Sequence, residues 1–128
     1  MINPNSGPGN AGTQPGAEYQ QCIPILQAAS DSVVVLGYVP SWEADSSKAA
    51  GVISDVNTYA GWSSSYRVDG IFFDQVSGAA SDFSAYTNYT SHARQTFDFV
   101  SGPQLLVFDA YVLMCNLKDC VEPRSCAS

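Results

Sequence analysis

The chain has 128 residues, 45% of them apolar, and sets five Lys and Arg against twelve Asp and Glu, for a net charge of −7. This length suits one domain with a sizeable core, and the apolar content excludes an intrinsically disordered chain. The acidic balance argues against nucleic acid and anionic membrane as partners, and no stretch reaches the roughly 18 apolar residues of a membrane span.

Residues 2–16, INPNSGPGNAGTQPG, hold three Pro and four Gly and read as a loop. The opening MINPNSGPGNAG has neither the basic nor the apolar region of a signal peptide. It therefore suits an intracellular protein or a chain lacking its true N-terminus. Pro15 and Glu18 suit a first helical turn, and Cys22, Ile25, Leu26 and Ala29 predict a helix over about 17–30. Pro24 should kink or split it. Val33 to Val39 is a short β-branched run and predicts a buried strand, stopped by Pro40.

A loop and then a helix over about 46–63 follow, with Val52, Val56, Tyr59 and Trp62 on the apolar face. A second strand is predicted within 68–76, its core at 70–76. A third helix follows over about 82–98, capped by Ser81 or Asp82 and faced by Phe83, Tyr86, Tyr89, Ala93 and Phe97. The run QLLVFDAYVLM predicts a third strand over 104–113. Beyond Met114 the chain turns polar, and residues 115–128 form a tail in which no element is predicted.

Helices alternating with strands imply a parallel sheet joined by right-handed crossovers. Such sheets carry ligands at the carboxyl ends of their strands. The loops to search are therefore GYVPSWEAD and FDQVSGAA, joined by NPNSGPG if a strand precedes it. Cys115, Cys120 and Cys126 are spaced C-x4-C-x5-C with no His nearby, which gives no zinc site. A disulfide among them is open if the chain is exported, and its pairing is not fixed by spacing. Asn88 opens the sequon NYT. No metal or cofactor is called for.

INPNSGPG, VVVLGYVPS and DVNTYAGWSSSYRVDGIFFDQ, in that order and spacing, resemble the spherulation-specific family 4, the spherulin-4-like proteins. The likeness runs from Ile2 to about Tyr89 and rests on several ordered blocks. It implies a (β/α)8 barrel related to glycoside hydrolases that act on galactosamine-containing polysaccharide, secreted or at the cell surface. A whole barrel has eight strands and typically about 250 residues. The expectation is thus about half a barrel over 1–114, followed by the tail. The resemblance implies Asp-Glu at the end of the second strand, where this chain has Asp74-Gln75.

Asp74 is the first catalytic candidate, because glycosidic bonds are usually cut by two carboxyl groups. Its bland alternative is capping the next turn. Gln75 keeps the shape of Glu but shuttles no proton. Tyr38 and Trp42 offer aromatic faces to a sugar, against core packing at a strand end. Asn3 and Asn5 match the family's Asn-Pro-Asn loop, against simple turn formation. Glu43 and Asp45 are reserve acids or solvated loop charges, and Asp109 is a weaker strand-end carboxylate. The lone His92 is given no role. The expected partner is polysaccharide. Activity is expected to be weak or absent, with a non-catalytic carbohydrate binder or a truncated product as the alternatives.

Overall fold

The computed structural model describes residues 1–97, in the order α1 (Ala17–Ala28), β1 (Leu36–Pro40), α2 (Ala49–Ala60), β2 (Gly70–Asp74) and α3 (Phe83–Thr96). The predicted third strand over 104–113, Asp109, and Cys115, Cys120 and Cys126 in the tail lie outside the described residues.

β1 and β2 pair in parallel, in register from Leu36 opposite Gly70 to Pro40 opposite Asp74. Ile2 forms a further parallel bridge to Gly37. Its backbone bonds the Leu36 carbonyl and the Tyr38 amide, whereas the Val35 carbonyl takes the Asp69 amide. Ile2 and β2 therefore flank β1 on opposite edges. The loop after Ile2 leaves at the same carboxyl edge as the loops after β1 and β2, as the alternating order predicts.

Side chains alternate across a strand. Val39, Ile71 and Phe73 enter one fully buried cluster with Ile23 of α1, Val52, Val56 and Tyr59 of α2, and Tyr89 of α3. Tyr38 and Phe72 are buried outside that cluster and stack on each other at 6.5 Å. They share the opposite face of the sheet with Asp74, two residues beyond Phe72.

β1 begins three residues later than the predicted 33–39 and ends one later. Val34 is 52% exposed, and the Val33 amide closes a turn onto the Ser30 carbonyl. The pairing starts where Asp69 takes hold: its Oδ2 accepts from the Val35 amide at 2.8 Å, and its own amide donates to the Val35 carbonyl at 2.7 Å. β2 stops at Asp74 instead of 76, because Gln75 adopts a left-handed φ of 56°.

α1 runs through Pro24 without splitting. The missing amide weakens the helix, and burial of Cys22 and Ile23 offsets it. Ile25, expected on the covered face, is 61% exposed. The predicted helix 46–63 resolves into a 3-10 turn, Ser46–Lys48, and α2. Asp82 holds the N-cap position of α3, but its side chain makes no capping bond. Phe83 is 74% exposed, because the covered stripe of α3 begins a turn later, with Tyr86 and Tyr89.

Candidate functional site

The ends of β1 and β2 are stitched together through Ser41. Its amide donates to the Asp74 carbonyl at 2.8 Å, and its Oγ donates to the carbonyls of Asp74 at 2.6 Å and Gln75 at 3.1 Å. The Glu43 amide also donates to the Gln75 carbonyl, at 2.8 Å. Ser41 is fully buried. Sequence reasoning missed it, since a small polar residue after Pro40 carries no signal. Ser41→Ala is expected to cost about 1 kcal/mol in a urea titration, because both carbonyls keep a backbone donor and only the net worth of the hydroxyl bonds is lost.

Inside this frame the Tyr38 hydroxyl donates to Asp74 Oδ2 at 2.9 Å. Burial first, and the bond to Asp74 second, push the Tyr38 hydroxyl up to about 12. It therefore stays protonated, and a donor, throughout the neutral range. The bond engages one carboxyl oxygen of Asp74 and restrains its rotamer. Asp74 is thus bound across the strands and no capping bond from its side chain is formed. The Tyr38 ring is buried and stacks on Phe72, as core packing at a strand end requires, while its hydroxyl reaches the candidate carboxyl.

Backbone strain concentrates at this edge. Among the described residues, the non-glycine positions with positive φ are Ser6, Trp42, Glu43, Ala44 and Gln75. All five lie in loops that leave the carboxyl ends of the strands. A left-handed conformation costs a non-glycine residue roughly 1–2 kcal/mol, and such residues cluster at functional sites. The consecutive run Trp42 to Ala44 turns the chain sharply, closed by the Ala44 amide on the Ser41 carbonyl and the Asp45 amide on the Trp42 carbonyl. Trp42 is left 46% exposed, with the Lys48 ammonium 5.5 Å from its ring centre.

The other candidates are placed as follows. Asn3 Oδ1 accepts the Gly7 amide at 2.9 Å, and the exposed Asn5 donates its amide to the Gly7 carbonyl. Both thus help build the first strand-end loop. Asp45 accepts the Ser47 amide at 2.8 Å, a bond that holds its carboxyl below the usual range. It acts as the cap of the turn before α2. The side chains of Glu43 and Gln75 are exposed at the rim. His92 is bonded to Asn57 on the helical face, away from the strand ends. Among the described residues no group of three or more His, Cys, Asp or Glu is arranged to hold a metal, and no helix is long and apolar enough to cross a membrane. A cleft of about 460 Å³ lies beside the site, between the loop after β2 and α3, lined by Phe73, Val76, Phe83 and Tyr86 among others. Asp74 and Tyr38 are not part of its lining.

The described residues define a mixed α/β unit, with two paired parallel strands, three α-helices and a tyrosine-bound carboxyl at the strand ends. The chain belongs to spherulation-specific family 4, whose family model matches residues 1–115. That match extends past Tyr89, where the likeness read from residue blocks ended. The chain is similar to spherulin-4 of Physarum polycephalum, at 38% identity over 104 residues. The alignment covers 80% of this chain and 29% of that protein, so the chain spans well under half the length of the relative it matches. No solved structure matches it.

Proposed function

We propose that this chain is part of a (β/α)-barrel, over residues 1–114, that engages amino-sugar polysaccharide outside the cell or at its surface, as a homologue of glycoside hydrolases. Two features favour the barrel. The helices cover one sheet face through the common cluster, while Tyr38, Phe72 and Asp74 share the other. Parallel sheets are buried on both faces, and a barrel meets that need by turning one face inward. The observation that carries the functional reading is the Asp74 carboxyl, held by Tyr38 at a strand end and ringed by strained backbone.

In this reading Asp74 is the catalytic carboxylate, and Gln75 occupies the place of the second, proton-shuttling group. Trp42 supplies a stacking face for a sugar ring, Tyr38 orients Asp74 and borders the substrate, and the loop bearing Asn3 and Asn5 lines the rim. Glycosidic hydrolysis usually draws on two carboxyl groups, so with Gln75 in place of one of them the wild-type chain is at most a slow enzyme. Gln75 also favours a second reading, a non-catalytic carbohydrate binder that keeps the loops and has lost one acid.

The test is reducing-end release from a galactosamine-containing polymer, measured beside polymer binding. Asp74→Asn is expected to abolish whatever hydrolysis the chain shows and to leave binding within about threefold, since contacts to sugar hydroxyls need no titrating group. Measurable turnover that is equal in wild type and Asp74→Asn removes Asp74 from the chemistry, and binding without turnover in the wild type selects the second reading. Failure of the chain to bind the polymer removes both readings.

A further inference from the structure

Asp55 stands in the middle of α2, half-buried, one turn before Tyr59. Its carboxyl lies under the strand-end loop: a Cβ built on Gly7 would sit 3.0 Å from Asp55 Oδ2. Gly7 is buried and has a φ of 141°, so both its conformation and this contact call for glycine. The loop offers Asp55 little in return at this point. The Gly7 amide is spent on Asn3 Oδ1 and the Gly7 carbonyl on the Asn5 amide.

The loop is tied down on either side. Upstream, Ile2 is bridged to Gly37, and its carbonyl accepts the Tyr59 hydroxyl at 3.1 Å. Downstream, the Gly12 amide donates to Thr58 Oγ1, and the Trp62 indole N–H donates to the Thr13 carbonyl. Between these anchors Gly7 and Gly9 both take positive φ. The segment that rests on Asp55 therefore lies between two fixed points, and both its glycines hold backbone conformations that L side chains rarely adopt.

We propose that Asp55 is a proton-operated latch for the loop Asn3–Gly9: the protonated carboxyl lets Gly7 lie against it, and the ionised carboxyl, needing water, lifts the loop away. The titratable groups around it are Tyr59 on its own helix and, beyond Tyr59, Tyr19 of α1 and Tyr38 of β1. The loop side presents the Gly7 backbone. Burial pushes the Asp55 carboxyl from 3.8 up to about 6, and it is the one cause of the shift. The folded value lies above the unfolded one, so the closed loop is favoured below about pH 4 and that advantage is lost as pH rises through about 6. Because the loop carries Asn3 and Asn5, the latch positions the rim of the strand-end site. It stands independently of the carbohydrate reading.

The test is amide hydrogen exchange at residues 3–9 in the full chain between pH 4 and pH 8, corrected for the intrinsic pH dependence of exchange. It is read beside the carboxyl-carbon shift of Asp55 by nuclear magnetic resonance. Protection of the Gly7 amide should fall about tenfold from pH 5 to pH 8, most of it below pH 6, and should level off where the carboxyl titrates, near 6. Asp55→Asn should keep the pH 5 protection at pH 8. An equal fall in wild type and Asp55→Asn overturns the latch, and so does flat protection in the wild type. Should the variant not fold, the wild type alone decides: a fall in protection that levels off at the carboxyl midpoint supports the proposal, and one that levels off elsewhere or continues beyond it overturns the latch.

Discussion

Gln75→Glu is expected to raise hydrolysis of a galactosamine-containing polymer by about 10²–10⁴-fold, the range that a positioned general acid or base contributes. The structure makes this a clean substitution. The Gln75 backbone is fixed independently of its side chain, by the Ser41 hydroxyl and the Glu43 amide on its carbonyl. Its side chain is exposed, so a new charge there is not buried and folding should be little affected. Glutamate matches glutamine in shape, exchanges the amide donors for a charged carboxylate, and gains the ability to exchange a proton. A hundredfold gain is about 2.7 kcal/mol off the barrier. The gain should appear in kcat, with polymer binding almost unchanged, because the proton matters only as the bond breaks. Adding Asp74→Asn to Gln75→Glu should return turnover to background, since the new acid needs the Asp74 carboxylate as its partner. Equal turnover by wild type and Gln75→Glu would refute the role given to position 75. Exposed Glu43, whose amide is bonded to the Gln75 carbonyl, would then be the next acid to test.

What the sequence discloses and what it hides divide along physical lines. β-branched and aromatic runs mark Leu36–Pro40 and Gly70–Asp74 as strands because a half-buried pleated surface selects such residues. The run Val33–Val35 looked the same, but two of its residues turn into solvent. The deciding contact, Asp69 on the Val35 amide, joins positions 34 residues apart and leaves no local trace. Helical spacing likewise found the stripe of α3 but not where cover begins, so Phe83 was placed inside and lies outside. Asp74 was legible as a carboxylate ending an apolar run. Its bond to Tyr38 was not, because that pairing follows from the register of β1 on β2. The left-handed turn at Trp42–Ala44 was invisible for a different reason: it contains no glycine, the residue by which such turns announce themselves. Its strain is carried by the surrounding bonds to Ser41 and Gln75, which only the folded chain assembles.

Gly37→Ala is expected to cost about 3 kcal/mol of stability, at the upper end for inserting one carbon into a full core. Gly37 is the second residue of β1, flanked by Ile2 and Ile71 on the two sides of the strand. Its φ is not in the left-handed region, so glycine is not there to turn the chain. It is there for room: an added Cβ would lie 2.8 Å from three ring carbons of Tyr59. That ring has nowhere to go. It is fully buried, meets Trp62 edge-on at 4.8 Å, and is pinned at its far end by the hydroxyl bond to the Ile2 carbonyl. Any shift of Tyr59 therefore strains the Ile2 bridge and α2 together, the two elements that bracket the loop over Asp55. Urea unfolding followed by circular dichroism measures the loss. A double-mutant cycle identifies its source. Tyr59→Leu alone should cost about 2–4 kcal/mol through the cavity it leaves. Gly37→Ala should then cost at most about 1 kcal/mol in the Tyr59→Leu background, because the clashing ring is gone. Full additivity of the two substitutions would show that the ring is not the obstacle. A loss below about 1 kcal/mol for Gly37→Ala alone would show that β1 can move off α2, and that the close stacking of Tyr59 on the strand does not fix the sheet against its helices.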